Sequence, residues 1–168
     1  MITLARARFD EIQTRLGERV RVRWDTELSE RLKSKFPITL GRIDWRWVPG
    51  HIYLAPPSEG KLSASDPELV SQLSDYHLVV LAFFDENLAK AERADSWVAY
   101  VGDSMTEEYE VNRSGLLAFI QIVASVADHK YVFALDASWC LMWSMECQLY
   151  FGLAPARLPR RRVDDHAE

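Results

Sequence analysis

At 168 residues with 48% hydrophobic side chains, the chain is long enough to bury one substantial core and short for two. Its formal charge of −5 is unevenly spread: residues 1–50 hold 11 Lys+Arg against 7 Asp+Glu, whereas residues 51–168 hold 9 against 18. An acidic majority argues against nucleic acid as the partner of the main body, because phosphate binding needs a basic surface, and it suits a basic protein partner instead.

Six Trp, six Tyr and seven Phe supply large buried area without a disulfide or metal staple. The two cysteines, Cys140 and Cys147, lie in an aromatic C-terminal stretch as packing residues, and the lack of a disulfide framework points to the cytoplasm. The N-terminus lacks the apolar run of a signal peptide, and no segment reaches the roughly 20 apolar residues of a membrane span.

In chain order, Ile2 to Leu16 places apolar residues at helical spacing, and Gly17 ends this amphipathic helix. Arg19 to Trp24 alternates arginine with Val20, Val22 and Trp24, the period of a half-exposed strand carrying a basic stripe. Asp25 or Thr26 caps a second helix that Pro37 closes. The alternation in Ile43 to Val48 puts Trp45 and Trp47 on one face of a strand, and the Pro49-Gly50 turn followed by His51 to Leu54 completes a predicted hairpin.

Residues 55–67, APPSEGKLSASDP, read as a surface loop, after which Pro67 opens a helix. His77 to Phe84, HLVVLAFF, is a continuous apolar run of strand length and predicts a central strand covered on both faces. Asp85 to Asp95 is polar and short and reads as a loop or a helical turn or two. Trp97 to Val101 and Glu108 to Val111 read as strands, and Gly115 to Ala127 as a helix buried on most sides. Tyr131 to Leu135, Trp139 to Met145 and Cys147 to Phe151 then form a three-stranded meander.

The predicted fold is a single α+β domain over residues 1–153, mostly antiparallel, with packed helices and that C-terminal meander. Residues 154–168 have no apolar periodicity and read as a disordered tail.

Two chemistries compete for the loop after residue 101. Gly102-Asp103-Ser104 resembles the Gly-Asp-Ser block of the GDSL esterase/lipase family, which would make Ser104 a nucleophile at a strand end. In that family the block opens the domain and an Asp-x-x-His pair lies late in the chain. Here only 64 residues follow Ser104, and no such spacing occurs in them, so no base is placed for the serine. The alternative is electrostatic: Asp103, Glu107, Glu108 and Glu110 fall within eight residues and, with Asp85 and Glu86, predict an acidic docking surface with Trp97 as an anchor. No zinc spacing and no glycine-rich phosphate loop is present, so no cofactor or metal is expected.

The order strand, Gly-Asp-Ser, Tyr109 with Val111, apolar helix, His129 to Phe133, Asp136 to Cys140, Met145-Glu146, and Tyr150 to Gly152 resembles the C-terminal half of small bacterial immunity proteins of polymorphic toxin and contact-dependent growth inhibition systems. It covers about a third of the chain. The resemblance implies a cytosolic, non-enzymatic inhibitor that binds a cognate toxin, often a basic nuclease. A structural or adaptor domain from a phage or secretion locus is the remaining alternative.

Overall fold

The computed structural model describes residues 2–23, 25–54, 67–90, 95–102, 108–124, 128–144 and 146–159, with backbone alone for 2–7 and 67–77. Among the described residues, four helices, α1 (Ile2–Leu16), α2 (Glu27–Lys35), α3 (Pro67–Lys90) and α4 (Leu116–Val123), accompany nine strands. These are β1 (Val20–Arg23), β2 (Ile38–Thr39), β3 (Arg42–Ile43), β4 (Ile52–Leu54), β5 (Trp97–Gly102), β6 (Glu108–Asn112), β7 (Lys130–Ala134), β8 (Trp139–Trp143) and β9 (Leu149–Leu153). Seven form one sheet in the order β1-β6-β5-β7-β8-β9-β4, and β2 and β3 form a separate pair. Every neighbouring pair is antiparallel. The α+β architecture and the β7-β8-β9 meander are those the periodicity predicts.

The period-2 alternation of the strands feeds two cores. On one face Val98, Tyr100, Tyr109, Val111, Val132, Leu141 and Trp143 pack with Ile12 and Leu16 of α1, Phe84 and Leu88 of α3, and Phe119 and Ile120 of α4. On the other, Ala99, Tyr131, Phe133, Cys140 and Met142 pack with Leu28 and Leu32 of α2, with Phe36, and with Ile43, Trp45 and Val48. Because both faces are covered, β7 and β8 are buried at every position. Packing of α4 against both α1 and α3 explains why its sequence leaves so little polar surface.

Two predicted elements are corrected. The run 77–84 is part of α3: Val80, Phe83, Phe84, Asn87 and Leu88 are buried at i, i+3, i+4, i+7 and i+8, while Leu78 and Val79 are exposed. That period runs past the apolar stretch into Asn87 and Leu88, so residues 85–90 continue the helix and the sheet is centred on β5 and β7. Nor is 43–54 a hairpin. Asp44 caps a 3₁₀ turn at Trp45–Trp47, accepting from the backbone N–H of Arg46. Trp45 is therefore buried and Trp47 exposed, on different faces, and β4 pairs with β9 instead.

Of the predicted tail, residues 154–159 are described; Ala154 donates to the Ser138 carbonyl at 2.9 Å and packs on the second core. Residues 160–168 lie outside the described residues, as do 55–66. No described helix is long and apolar enough to cross a membrane.

Candidate interaction site

Of the seven residues of the predicted acidic docking surface, the five that are described do not come together. Asp103 and Glu107, with Ser104, lie outside the described residues. Asp85 and Glu86 are on α3, over the first core, where Asp85 accepts from Arg113 at 3.0 Å and Glu86 from Lys90 at 2.8 Å. Trp97, Glu108 and Glu110 are on the opposite face of the sheet. There the two glutamates are buried rather than displayed.

The antiparallel register of β1 on β6 sets Arg21 opposite Glu110 and Arg23 opposite Glu108. The Glu110 carboxylate accepts from Arg23 at 2.8 Å and from Arg21 at 3.4 Å, and the Arg21 guanidinium lies 3.9 Å from the centroid of the Trp97 ring. Glu108 accepts the backbone N–H groups of Leu28 and Ser29 and the Ser29 hydroxyl. Arg21 and Arg23 of the basic stripe and this part of the acidic one are therefore ligands of each other and of α2. Neither Glu108 nor Glu110 is a free docking group.

A different concavity lies on the second face, beside β4. It is a groove of about 540 Å³ lined by Thr39, Ile43, Asp44, Trp45, Arg46, His51, Tyr53 and Tyr150. Its floor is an aromatic stack: Tyr150 lies parallel to Trp45 at a centroid distance of 5.3 Å and meets Tyr53 at 4.9 Å. The β4–β9 register, Tyr53 opposite Tyr150, puts those two rings on one face. Close packing of 45–51 onto β9 requires glycine at 152, where a Cβ would fall 2.7 Å from Val48 Cγ1.

The polar groups of the groove are fixed. Arg46 grips Asp44 through two charge-assisted bonds, Nε to Oδ1 at 2.8 Å and Nη2 to Oδ2 at 2.7 Å, and Thr39 donates to the same carboxylate at 3.3 Å. These bonds, led by the Arg46 side chain, hold the Asp44 carboxyl below its usual range. His51 Nδ1 lies 3.0 Å from the Val48 carbonyl, which can only accept, so Nδ1 is the donor in that bond. Burial, together with the neighbouring Tyr53 and Glu146, raises the Tyr150 phenol. Sequence reading missed this site because it placed both tryptophans on a strand; the usable signal was Asp44 as a cap two residues ahead of Arg46.

A second polar cluster starts β7, where Asp128, His129 and Lys130 are consecutive and all buried. Among the described residues, neither ring nitrogen of His129 has a hydrogen-bond partner. Lys130 Nζ donates to the Asp128 carbonyl at 2.9 Å and lies 5.4 Å from the Trp143 ring centroid. Among the described residues, no group of three or more His, Cys, Asp or Glu side chains is placed to hold a metal. Cys140 and Cys147 form no disulfide, and burial pushes both thiols up, Cys140 most.

Compared with known proteins, the chain matches no family model, no curated protein and no solved structure.

Proposed function

We propose that this chain is a binding protein without catalysis of its own, acting as an immunity protein that neutralises a bacterial toxin, and that the groove beside β4 receives the toxin. The observation that supports the reading is the composition of that groove. Trp45, Tyr53, Tyr150 and Arg46 surround one concavity, and Trp, Tyr and Arg are the residues that dominate binding energy at protein interfaces. Their rings are held by stacking and their charges by bonds already made, so little conformational entropy is lost on binding. The net charge of −5 steers a basic partner from a distance, while the groove supplies short-range contact.

The test is co-expression of the chain with the products of neighbouring genes. Rescue from one toxic neighbour, lost on Tyr53→Ala or Arg46→Ala with the circular dichroism unchanged, is the expected result. Rescue that survives both substitutions removes the groove from the proposal, and the absence of any toxic neighbour removes the toxin. Ester hydrolysis by the wild type that disappears in Ser104→Ala would replace this reading with the hydrolase alternative.

A further inference from the structure

β4 ends the seven-stranded sheet, and no described strand pairs with its outer edge. Sheet edges are ordinarily guarded against other chains by lysine, proline, bulges or a covering element. Ile52–Leu54 has no charge, no proline and no bulge, and its side chains are 36%, 45% and 40% exposed. Register puts Ile52 and Leu54 on the first face, opposite Phe151 and Leu149, and Tyr53 on the groove face. Leu153 of β9, on the same face as Ile52, is also exposed.

We infer that β4 pairs with β4 of a second copy of this chain, antiparallel about a two-fold axis at Tyr53, so that two sheets continue as one. Charge argues for a second copy as the occupant. Two chains of net −5 repel each other at long range, yet Ile52–Leu54 contains no Asp, Glu, Lys or Arg, so two identical strands meet here without like charges opposite each other. The strand is also self-complementary: rotation about Tyr53 brings Ile52 opposite the partner copy's Leu54 on one face and the two Tyr53 rings together on the other. The partner's Tyr53 then stands beside the Tyr53–Tyr150 pair and becomes part of the groove wall. This inference concerns the chain alone and does not depend on any toxin.

Light scattering of the purified full chain across the micromolar range gives the first measurement, with twice the 19.4 kDa chain mass expected. Ile52→Lys combined with Leu54→Lys places like charges directly opposite each other across the axis and weakens dimerisation by about a hundredfold or more. Tyr53→Cys provides a second readout, by proximity across the axis rather than by loss of association. Residues facing each other across an antiparallel ladder have Cα atoms about 4.5–5.5 Å apart, within the disulfide range of about 4.4–6.8 Å. Mild oxidation should therefore cross-link this variant and leave the wild type, with Cys140 and Cys147 alone, uncross-linked. A wild type that stays monomeric, a dimer that survives the two lysines, or a Tyr53→Cys variant that cross-links no better than the wild type would each overturn the inference. If the lysine variant fails to fold, the cross-link decides.

Discussion

The carboxylate of Glu108, on β6, sits on the first turn of α2 and accepts the backbone N–H of Leu28 at 2.8 Å. It takes the Ser29 N–H at 2.9 Å as well, while the helix's own N-cap residue, Thr26, makes no side-chain capping bond. A helix start leaves its first N–H groups without intrahelical partners. Here the missing cap comes from a strand 80 residues away, and the negative charge also complements the helix dipole.

Glu108→Ala should therefore lower stability by about 1–3 kcal/mol, the cost of leaving buried donors unpaired. Glu108→Gln, which keeps one acceptor oxygen, should lose less. Urea unfolding measures both. Equal midpoints for Glu108→Ala and wild type would show that the cap holds nothing.

Glu110 and Arg21 share an ion pair, yet their removal should differ in cost. Glu110 is buried and bonded to both Arg21 and Arg23, so Glu110→Ala removes two charge-assisted bonds and the packed stem of the side chain and should cost about 1–2 kcal/mol. Arg21 is 60% exposed at its side chain and contributes a long ion pair and a contact over Trp97. Arg21→Ala should cost about 0.5 kcal/mol or less, measured by the same unfolding curves. An Arg21 effect as large as that of Glu110 would contradict this ranking.

Those charges also mark the limit of the linear sequence. Alternation correctly placed β1 and β6 as strands with one polar face each, and a polar face on a single strand reads as solvent-facing. That β1 lies beside β6, with Arg21 opposite Glu110, is a fact of topology that local periodicity does not carry. Arg21 and Arg23 of one stripe and the buried Glu108 and Glu110 of the other are therefore one network of ion pairs and helix-cap bonds at the edge of α2. The same limit explains the second core. The strands of the meander announced themselves through their aromatics, but which face α2 and Trp45 would cover depended on contacts distant in sequence. The error at 77–84 was different in kind, since Asn87 and Leu88 already continued the helical spacing. A window stopped at Phe84 cut the period short.

Adjacent valines in α3 test that correction directly. Val79 is 38% exposed and Val80 is 1% exposed. Val79→Asp should shift stability by about 1 kcal/mol or less, and Val80→Asp, which buries an unpaired carboxylate beside Phe84, by about 3 kcal/mol or more. A strand covered on both faces would be damaged by either change. Comparable loss from both in thermal unfolding would restore the strand.

Lys130 is the last group whose behaviour follows from its surroundings. Burial lowers its pKa from an ordinary 10.5 to about 8, against the opposing pull of Asp128. Between those two values the unfolded chain binds more protons at this position than the folded one, so stability rises with pH across the window. Below about 8 the full penalty of a buried ammonium is present, and above 10.5 it is gone. Lys130→Met keeps the length of the side chain against Trp143 and removes the charge. The variant should therefore melt higher than wild type at neutral pH, with the advantage shrinking as pH rises toward 10. The wild-type-minus-variant difference in Tm, followed from pH 7 to 10, isolates this lysine from the other groups that titrate there. A difference that stays flat would place the Lys130 ammonium in contact with water.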